Sequence, residues 1–335
     1  MNERSVWGKN YNLFCLSRYR TQLMGVAALM IVLCHAPQYG VDITGFPRKL
    51  LVFLNIGVDI FLFLSGMGCC FSLMKPYNYF PWLKRRFIRI LIPYTIIMLT
   101  LRIASLQVDS ISWHEWFMTF STLHFWTRHI GIWYIALLVL LYPLTPLFYQ
   151  IFETFKRREL VVITFIILLL LITHIPVGES DETMNSIITN LQWAFKRVVS
   201  FIIGMYLAPY IKHNLKINAL LLIGTSALGC ILFHFFFRNV FYAWLYVLPL
   251  LIIITILFKQ IPHDSKINIF FLWLGAASLE SYLANVGIKT LMPLFLYKWI
   301  DNPIFTGHYL DYTLVIIAGL CLTYIAHRVS LIIQQ

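Results

Sequence analysis

Charge is what this sequence has least of. Only 12% of its 335 residues are Asp, Glu, Lys or Arg, against 60% hydrophobic, and the mean hydropathy is +0.77. A soluble domain carries about 25% charged residues, so that class is excluded. Acid is the scarcer sign, with 14 Asp and Glu against 26 Lys and Arg. The bases sit mostly in short loops between apolar runs and form no continuous face, which argues against nucleic acid as a partner. They read instead as topology signals and phosphate contacts. The six cysteines, Cys15, Cys34, Cys69, Cys70, Cys230 and Cys321, have neither paired extracellular spacing nor a metal-ligand pattern, so neither a disulfide nor a metal site is expected. The N-terminal stretch "MNERSVWGKNYNLFCLSRYRTQL" lacks a small-residue cleavage site after a short apolar core, and the first hydrophobic helix is expected to stay as an anchor. No internal repeat or low-complexity tract is visible, which weakens an inverted-repeat transporter reading.

Long apolar runs are what the chain has. They recur from end to end, each about 17 to 25 residues and long enough to cross roughly 30 Å of hydrocarbon as a helix. Spans are expected near 22–38, 50–74, 88–106, 130–152, 159–175, 194–211, 217–237, 240–258, 269–289 and 310–333. The expected fold is therefore all-α: a polytopic membrane protein of about ten helices in one bundle, with a single domain over 1–335, an N-terminal segment 1–21 and a helical core 22–333. With the N-terminus inside, about twice as many Lys and Arg fall in inner loops as in outer ones. That predicts a multi-pass cell (inner) membrane protein with both termini cytoplasmic. Of the outer loops, "GESDETMNS" (178–186) carries acid and no base, and "SISWHEWFMTFSTLHFWTRH" (110–129) reads as an interfacial segment.

Polar residues inside the apolar runs carry the chemistry. His35 interrupts "MGVAALMIVLCHA" (24–36) nearer its outer end, and "NIGVDIFLFLSGMGCC" (55–70) places Asp59 where an unpaired carboxylate costs several kcal/mol. Adjacent antiparallel spans bring their outer halves together, so Asp59 is expected to pair with His35 and raise its basicity. A structural His and Asp pair accounts for these two residues equally well. Ser65 and Gly66 in the same span serve a site or ordinary helix packing. In "FPWLKRRFIRILIPY" (80–94) Arg85, Arg86 and Arg89 cluster at the inner end of the third span. The i, i+4 spacing puts Arg85 and Arg89 on one face, suited to gripping phosphate, and Pro93 kinks the helix. Trp133 and Tyr134 open a later span as an aromatic belt or binding surface. Glu280 and Asn285 lie in "FLWLGAASLESYLANVGI" (271–288), with Glu280 expected to face the protein interior or water.

In that order, the first-span histidine, "GVDIFLFLSG", "KRRFIRILIPY", "WYIALLVLLYPLTPL" and "WLGAASLESYLANV" resemble the integral-membrane acyltransferase-3 family over essentially the whole chain. That family contains O-acetyltransferases acting on surface polysaccharides and other glycans. The resemblance implies acyl transfer from cytoplasmic acyl-CoA, acetyl-CoA above all, to a hydroxyl of a surface or lipid-linked glycan, with no bound cofactor and no metal. It places His35 on the family's essential histidine and Arg85, Arg86 and Arg89 on its coenzyme A motif. The family usually carries arginine eleven positions before the histidine, where this sequence has Met24; Arg20 lies one turn earlier, about 6 Å along the helix, on nearly the same face. Where the family commonly has a histidine after "YL", this sequence has "YLAN" with Asn285.

The expected site therefore pairs catalytic His35 and Asp59 with donor-binding Arg20, Arg85, Arg86 and Arg89. Ser65, Trp133, Tyr134, Glu280 and Asn285 are candidates for holding substrate. Loops 107–129 and 290–309 are expected to help recognise the acceptor, and membrane lipid is the surrounding partner. Two other readings stay open on the residues alone: a transporter or flippase for glycan or lipid-linked sugar using the same buried polar groups, and a catalytically silent relative.

Overall fold

A computed structural model of the chain describes residues 11–39, 41, 43–105, 112–128, 131–176, 178, 182–236, 243–288 and 309–334. The expected loop 290–309 lies almost wholly outside these residues. The elements in chain order are β1 (Tyr11–Asn12), α1 (Phe14–Arg18), α2 (Arg20–Cys34), α3 (Gly45–Phe53), α4 (Ile56–Leu73), α5 (Tyr79–Ser105), α6 (Trp113–Phe120), α7 (Leu123–Arg128), α8 (Trp133–Thr154), α9 (Arg158–Ile172), α10 (Glu182–Lys212), β2 (Lys216–Ile217), α11 (Ala219–Phe236), α12 (Trp244–Gln260), α13 (Lys266–Ala276), α14 (Ser278–Ile288) and α15 (Tyr309–Ile333). Each of the ten expected apolar segments coincides with one of the longer helices or with a broken pair. The expectation of ten crossings goes further than the helices themselves. Among the described residues five are long and apolar enough to cross a membrane, or six if the pair α13 and α14, bent by 74°, is one span. The shortfall has physical causes. The α5 helix carries Lys84, Arg85, Arg86, Arg89 and Arg102, α9 has only 15 residues, and the run 269–289 is broken at Ala277.

The α4 helix is the centre of the bundle. Almost every one of its residues is buried, and it packs against α2, α8, α10 and α12. Helices in lipid gain little from hydrophobic burial against each other, so close packing at small residues has to hold them. Gly66 of α4 and Gly204 of α10 supply it reciprocally. A Cβ added at Gly66 would lie 2.1 Å from the Phe201 carbonyl oxygen, and one at Gly204 would lie 2.1 Å from that of Phe63. The α2 and α13 helices cross in the same way, where a Cβ on Gly275 would lie 1.8 Å from the Thr21 carbonyl oxygen.

Three segments outside the expected spans have structure of their own. The segment ahead of α2 is packed down: β1 pairs antiparallel with β2, the Tyr11 hydroxyl hydrogen-bonds to the Thr255 hydroxyl, and Leu13 and Leu16 are buried. Within the acidic stretch 178–186, Glu182 begins α10, which then runs 31 residues to Lys212. The stretch expected to lie at the interface folds into α6 and α7, with Trp113 and Phe117 facing outward while the Tyr94 hydroxyl donates to the Phe120 carbonyl at 2.9 Å.

Replacing Gly66 or Gly204 by valine forces two backbones apart. Each variant is expected to lower the melting temperature of the detergent-purified protein by about 5 °C or more. Gly224→Ala, where an added Cβ meets nothing within 4 Å, is the control and should melt with the unsubstituted protein.

Candidate active site

Two cavities lie along α2, one near each end. The first, about 560 Å³, is lined by Arg20, Arg86 and Arg89 together with Ser65, Tyr134, Tyr142, Glu280 and Tyr282. Its cationic groups come from two helices. Arg20 opens α2, whereas Arg86 and Arg89 stand three apart on α5 and so share a face, with Pro93 of the same helix also lining the space. Arg86 is held in place: it donates to the Gly68 carbonyl at 3.0 Å and the Ser72 hydroxyl at 2.6 Å, and its guanidinium lies 5.4 Å from the Trp82 ring centroid. Arg20 donates to the Leu64 carbonyl at 3.3 Å, while its Nε is buried with no hydrogen-bond partner. Ser330 Oγ, in the lining of the same cavity, is also buried and unpartnered. Buried donors without partners are costly, and here both line a space open to a ligand. Glu280 offsets part of the positive charge and lies 3.0 Å from His327 Nδ1.

His35 closes α2 at its other end, as its C-cap residue, and lines a second cavity of about 350 Å³ with Cys34, Asn55, Trp133, Trp193 and Tyr282. Its Nδ1 lies 2.7 Å from Asn285 Oδ1. An amide oxygen accepts only, so this contact puts the ring proton on Nδ1 and the basic lone pair on Nε2. Tyr282 lines both cavities. Its ring meets Tyr134 edge to face, with centroids 5.5 Å apart, so a pair of aromatic rings separates the arginine cavity from the imidazole.

The expected partnership of Asp59 with His35 is corrected. Asp59 is completely buried and accepts hydrogen bonds from Arg197 and, at 2.9 Å, from the Ser200 hydroxyl of α10. The reason is helical register: Asp59, Phe63 and Gly66 stand at i, i+4 and i+7, the stripe of α4 that meets α10. The face towards α2 is a different one, carrying Gly57, where an added Cβ would lie 2.7 Å from the Ala27 carbonyl oxygen. Arg85 is also displaced from its expected place, being exposed and outside the cavity that Arg86 and Arg89 line.

The arrangement thus joins a cationic cavity to an imidazole on the far side of an aromatic partition. A model of the acyltransferase-3 family, described as an acyltransferase domain, matches residues 22–328. The chain belongs to this family. No curated protein and no solved structure matches it. As an acyltransferase-3 member it is a membrane acyltransferase, and, Asp59 and Arg85 apart, the candidate residues singled out in its motifs divide between the two cavities. Arg20, Met24, Ser65, Arg86, Arg89, Tyr134 and Glu280 line the first. His35 and Trp133 line the second, and Asn285 bonds the histidine.

Sequence reasoning passed over Tyr142, Tyr282, Trp193, Arg197 and His327. Arg197 had a readable signal, a lone guanidinium inside an apolar run. The span there was expected over 194–211, whereas α10 begins at Glu182, which puts Arg197 in its middle. Among the described residues no group of His, Cys, Asp and Glu is arranged to hold a metal ion.

The Asp59 and Arg197 pair gives a clean test of its structural role. Arg197→Leu leaves a buried carboxylate without its cation and should cost about 3–5 kcal/mol, read as a large drop in melting temperature. Combining it with Asp59→Asn should recover most of that loss, and the coupling is measured as a double-mutant cycle.

Proposed function

We propose that this protein moves an acetyl group from acetyl-CoA, bound in the arginine cavity, to a hydroxyl of a surface or lipid-linked glycan presented at the histidine end. The observation that carries the donor assignment is the convergence of Arg20, Arg86 and Arg89 on one cavity, with the Arg20 Nε buried and unpartnered. Guanidinium groups match the phosphate oxygens of coenzyme A in charge and in forked donor geometry. The departure at Met24 is compatible with this reading, because Arg20 lies within electrostatic reach of Arg86 and Arg89. By the charge rule for membrane proteins the arginine end faces the cytoplasm, where acyl-CoA is found.

On this reading the reaction runs along α2. From Arg20 to His35 the helix rises about 22 Å, so the extended arm of the donor runs along α2 and brings its thioester to the partition made by Tyr134 and Tyr282. His35 Nε2 takes the proton of the acceptor hydroxyl as the oxygen attacks the thioester carbonyl. The tetrahedral intermediate collapses with cleavage of the carbon–sulfur bond, and the imidazolium returns its proton to the departing thiolate. Asn285 holds the imidazole in the tautomer that starts this cycle, and is a positioning residue. A flippase needs no cationic cavity at one end, which disfavours that reading.

Binding and turnover separate in the test. Arg86→Ala should weaken acetyl-CoA binding by about tenfold or more, the loss of a charge-assisted pair, as measured by calorimetry on protein in lipid nanodiscs. His35→Ala should leave that binding intact and abolish acetyl transfer to glycan, followed by mass spectrometry. Full transfer by a folded His35→Ala variant would end the proposal.

A further inference from the structure

The α5 helix has a second lined face that no step above uses. A groove of about 980 Å³ runs along it from Phe80 to Ile96, lined by Leu83, Phe87, Ile88 and Leu91 and, from α15, by Ile333. Phe80, Leu91 and Ile333 are exposed, so the groove lies on the outside of the bundle. Its charged lining residue is Lys84. Groove and arginine cavity use opposite sides of one helix. Lys84, Phe87, Ile88 and Leu91 line the groove, and Arg86, Arg89, Ile90 and Pro93, each two residues later and so about 200° round the helix, line the cavity. The run of bases that opens this helix is thereby divided. Arg86 and Arg89 go to the cavity, while Lys84 and Arg85 stay exposed, and among the described residues neither makes an ion pair. Arg85 flanks the groove, four residues after Pro81 and three before Ile88, which both line it.

We infer that this groove binds an anionic phospholipid of the inner leaflet, with an acyl chain along Phe87, Ile88, Leu91 and Ile96 and its phosphate at Lys84 and Arg85. The two parts of such a lipid match the two parts of the groove. From Lys84 to Ile96 the helix rises about 18 Å, close to the roughly 15 Å of hydrocarbon in one leaflet. Between Phe87 and Leu101 the one charged residue is Arg89, which lines the arginine cavity on the other side, so the chain meets apolar surface. At the other end the long stems of lysine and arginine let their charges reach the headgroup level, where bases at the cytoplasmic end of a helix attract anionic lipid. A topology anchor requires the charges alone. The groove beside them is what holds one molecule in one place. This site is independent of the acyl-transfer reading, since it shares no residue with either cavity of the active site.

The test titrates the full-length protein in detergent with dioleoyl phosphatidylglycerol and, separately, dioleoyl phosphatidylcholine, and reads bound lipid by native mass spectrometry. Phosphatidylglycerol should bind about tenfold more tightly. Lys84→Gln and Arg85→Gln should each weaken it by about fivefold, and Leu91→Trp, which fills the groove and keeps both bases, by about tenfold. The paired change Lys212→Gln with Lys266→Gln removes two exposed bases elsewhere and should cost less than about twofold. All five side chains are exposed, so the variants should melt with the unsubstituted protein. Glycerol 3-phosphate, a headgroup without chains, should not displace the lipid. Equal binding of the two lipids, or an equal loss in the Lys212 and Lys266 variant, reduces the effect to diffuse charge and overturns the site. Displacement by glycerol 3-phosphate, or unchanged binding in Leu91→Trp, overturns it as well. A dimer that Leu91→Trp abolishes makes the groove an interface between copies of this chain and overturns the lipid as its occupant.

Discussion

The seam between α4 and α10 is the constraint on which the rest depends. In hydrocarbon the apolar surface of a helix is satisfied by lipid, so two helices choose each other through close approach and polar pairing. Here both devices act on one stripe. Gly66 and Gly204 let the backbones come within van der Waals reach, and the buried Asp59 with Arg197 and Ser200 fixes the register. An ion pair in such a place is weak evidence for net stability, because both charges have lost their water. Its effect is to make the wrong registers worse, since any slip leaves a carboxylate and a guanidinium apart in a medium that solvates neither. With α4 set in this way, α2 and α8 pack on its other flanks and bring the arginine and histidine ends of the site into line.

A low local dielectric then gives each polar contact more consequence than it would have in water. The Arg86 guanidinium is held by a carbonyl, a hydroxyl and an indole ring, so it keeps its place without a ligand. Arg20, with one weak contact and an unpartnered Nε, keeps hydrogen-bonding capacity in reserve. The imidazole Nδ1 is held by the amide oxygen of Asn285.

Much of this could be read from residues alone, and the rest could not for identifiable reasons. The helical segments followed from run length. Arg86 and Arg89 followed from a cluster of bases intruding on an apolar helix, and His35 from an imidazole near the end of one. What hydropathy does not contain is helix rotation. Adjacent spans suggested Asp59 as the partner of His35, but the two face different neighbours, and Asn285, 250 residues along the chain, supplies the contact. Rotation likewise took Arg85 out of the cavity. Tyr282 gave no signal because an aromatic residue in an apolar run looks like packing until two cavities are found to share it. Hydropathy also does not register a bend such as the one at Ala277, and five or six of the ten expected crossings have helices long and apolar enough among the described residues.

That bend has a consequence for how the two ends of the site communicate. Beyond it, α14 is a rod of 11 residues, about 16 Å long. Within six positions it presents Glu280 to the arginine cavity, Tyr282 to both spaces and Asn285 to His35. One short helix therefore ties the two ends together, with Glu280 and Asn285 only about 7.5 Å apart along its axis.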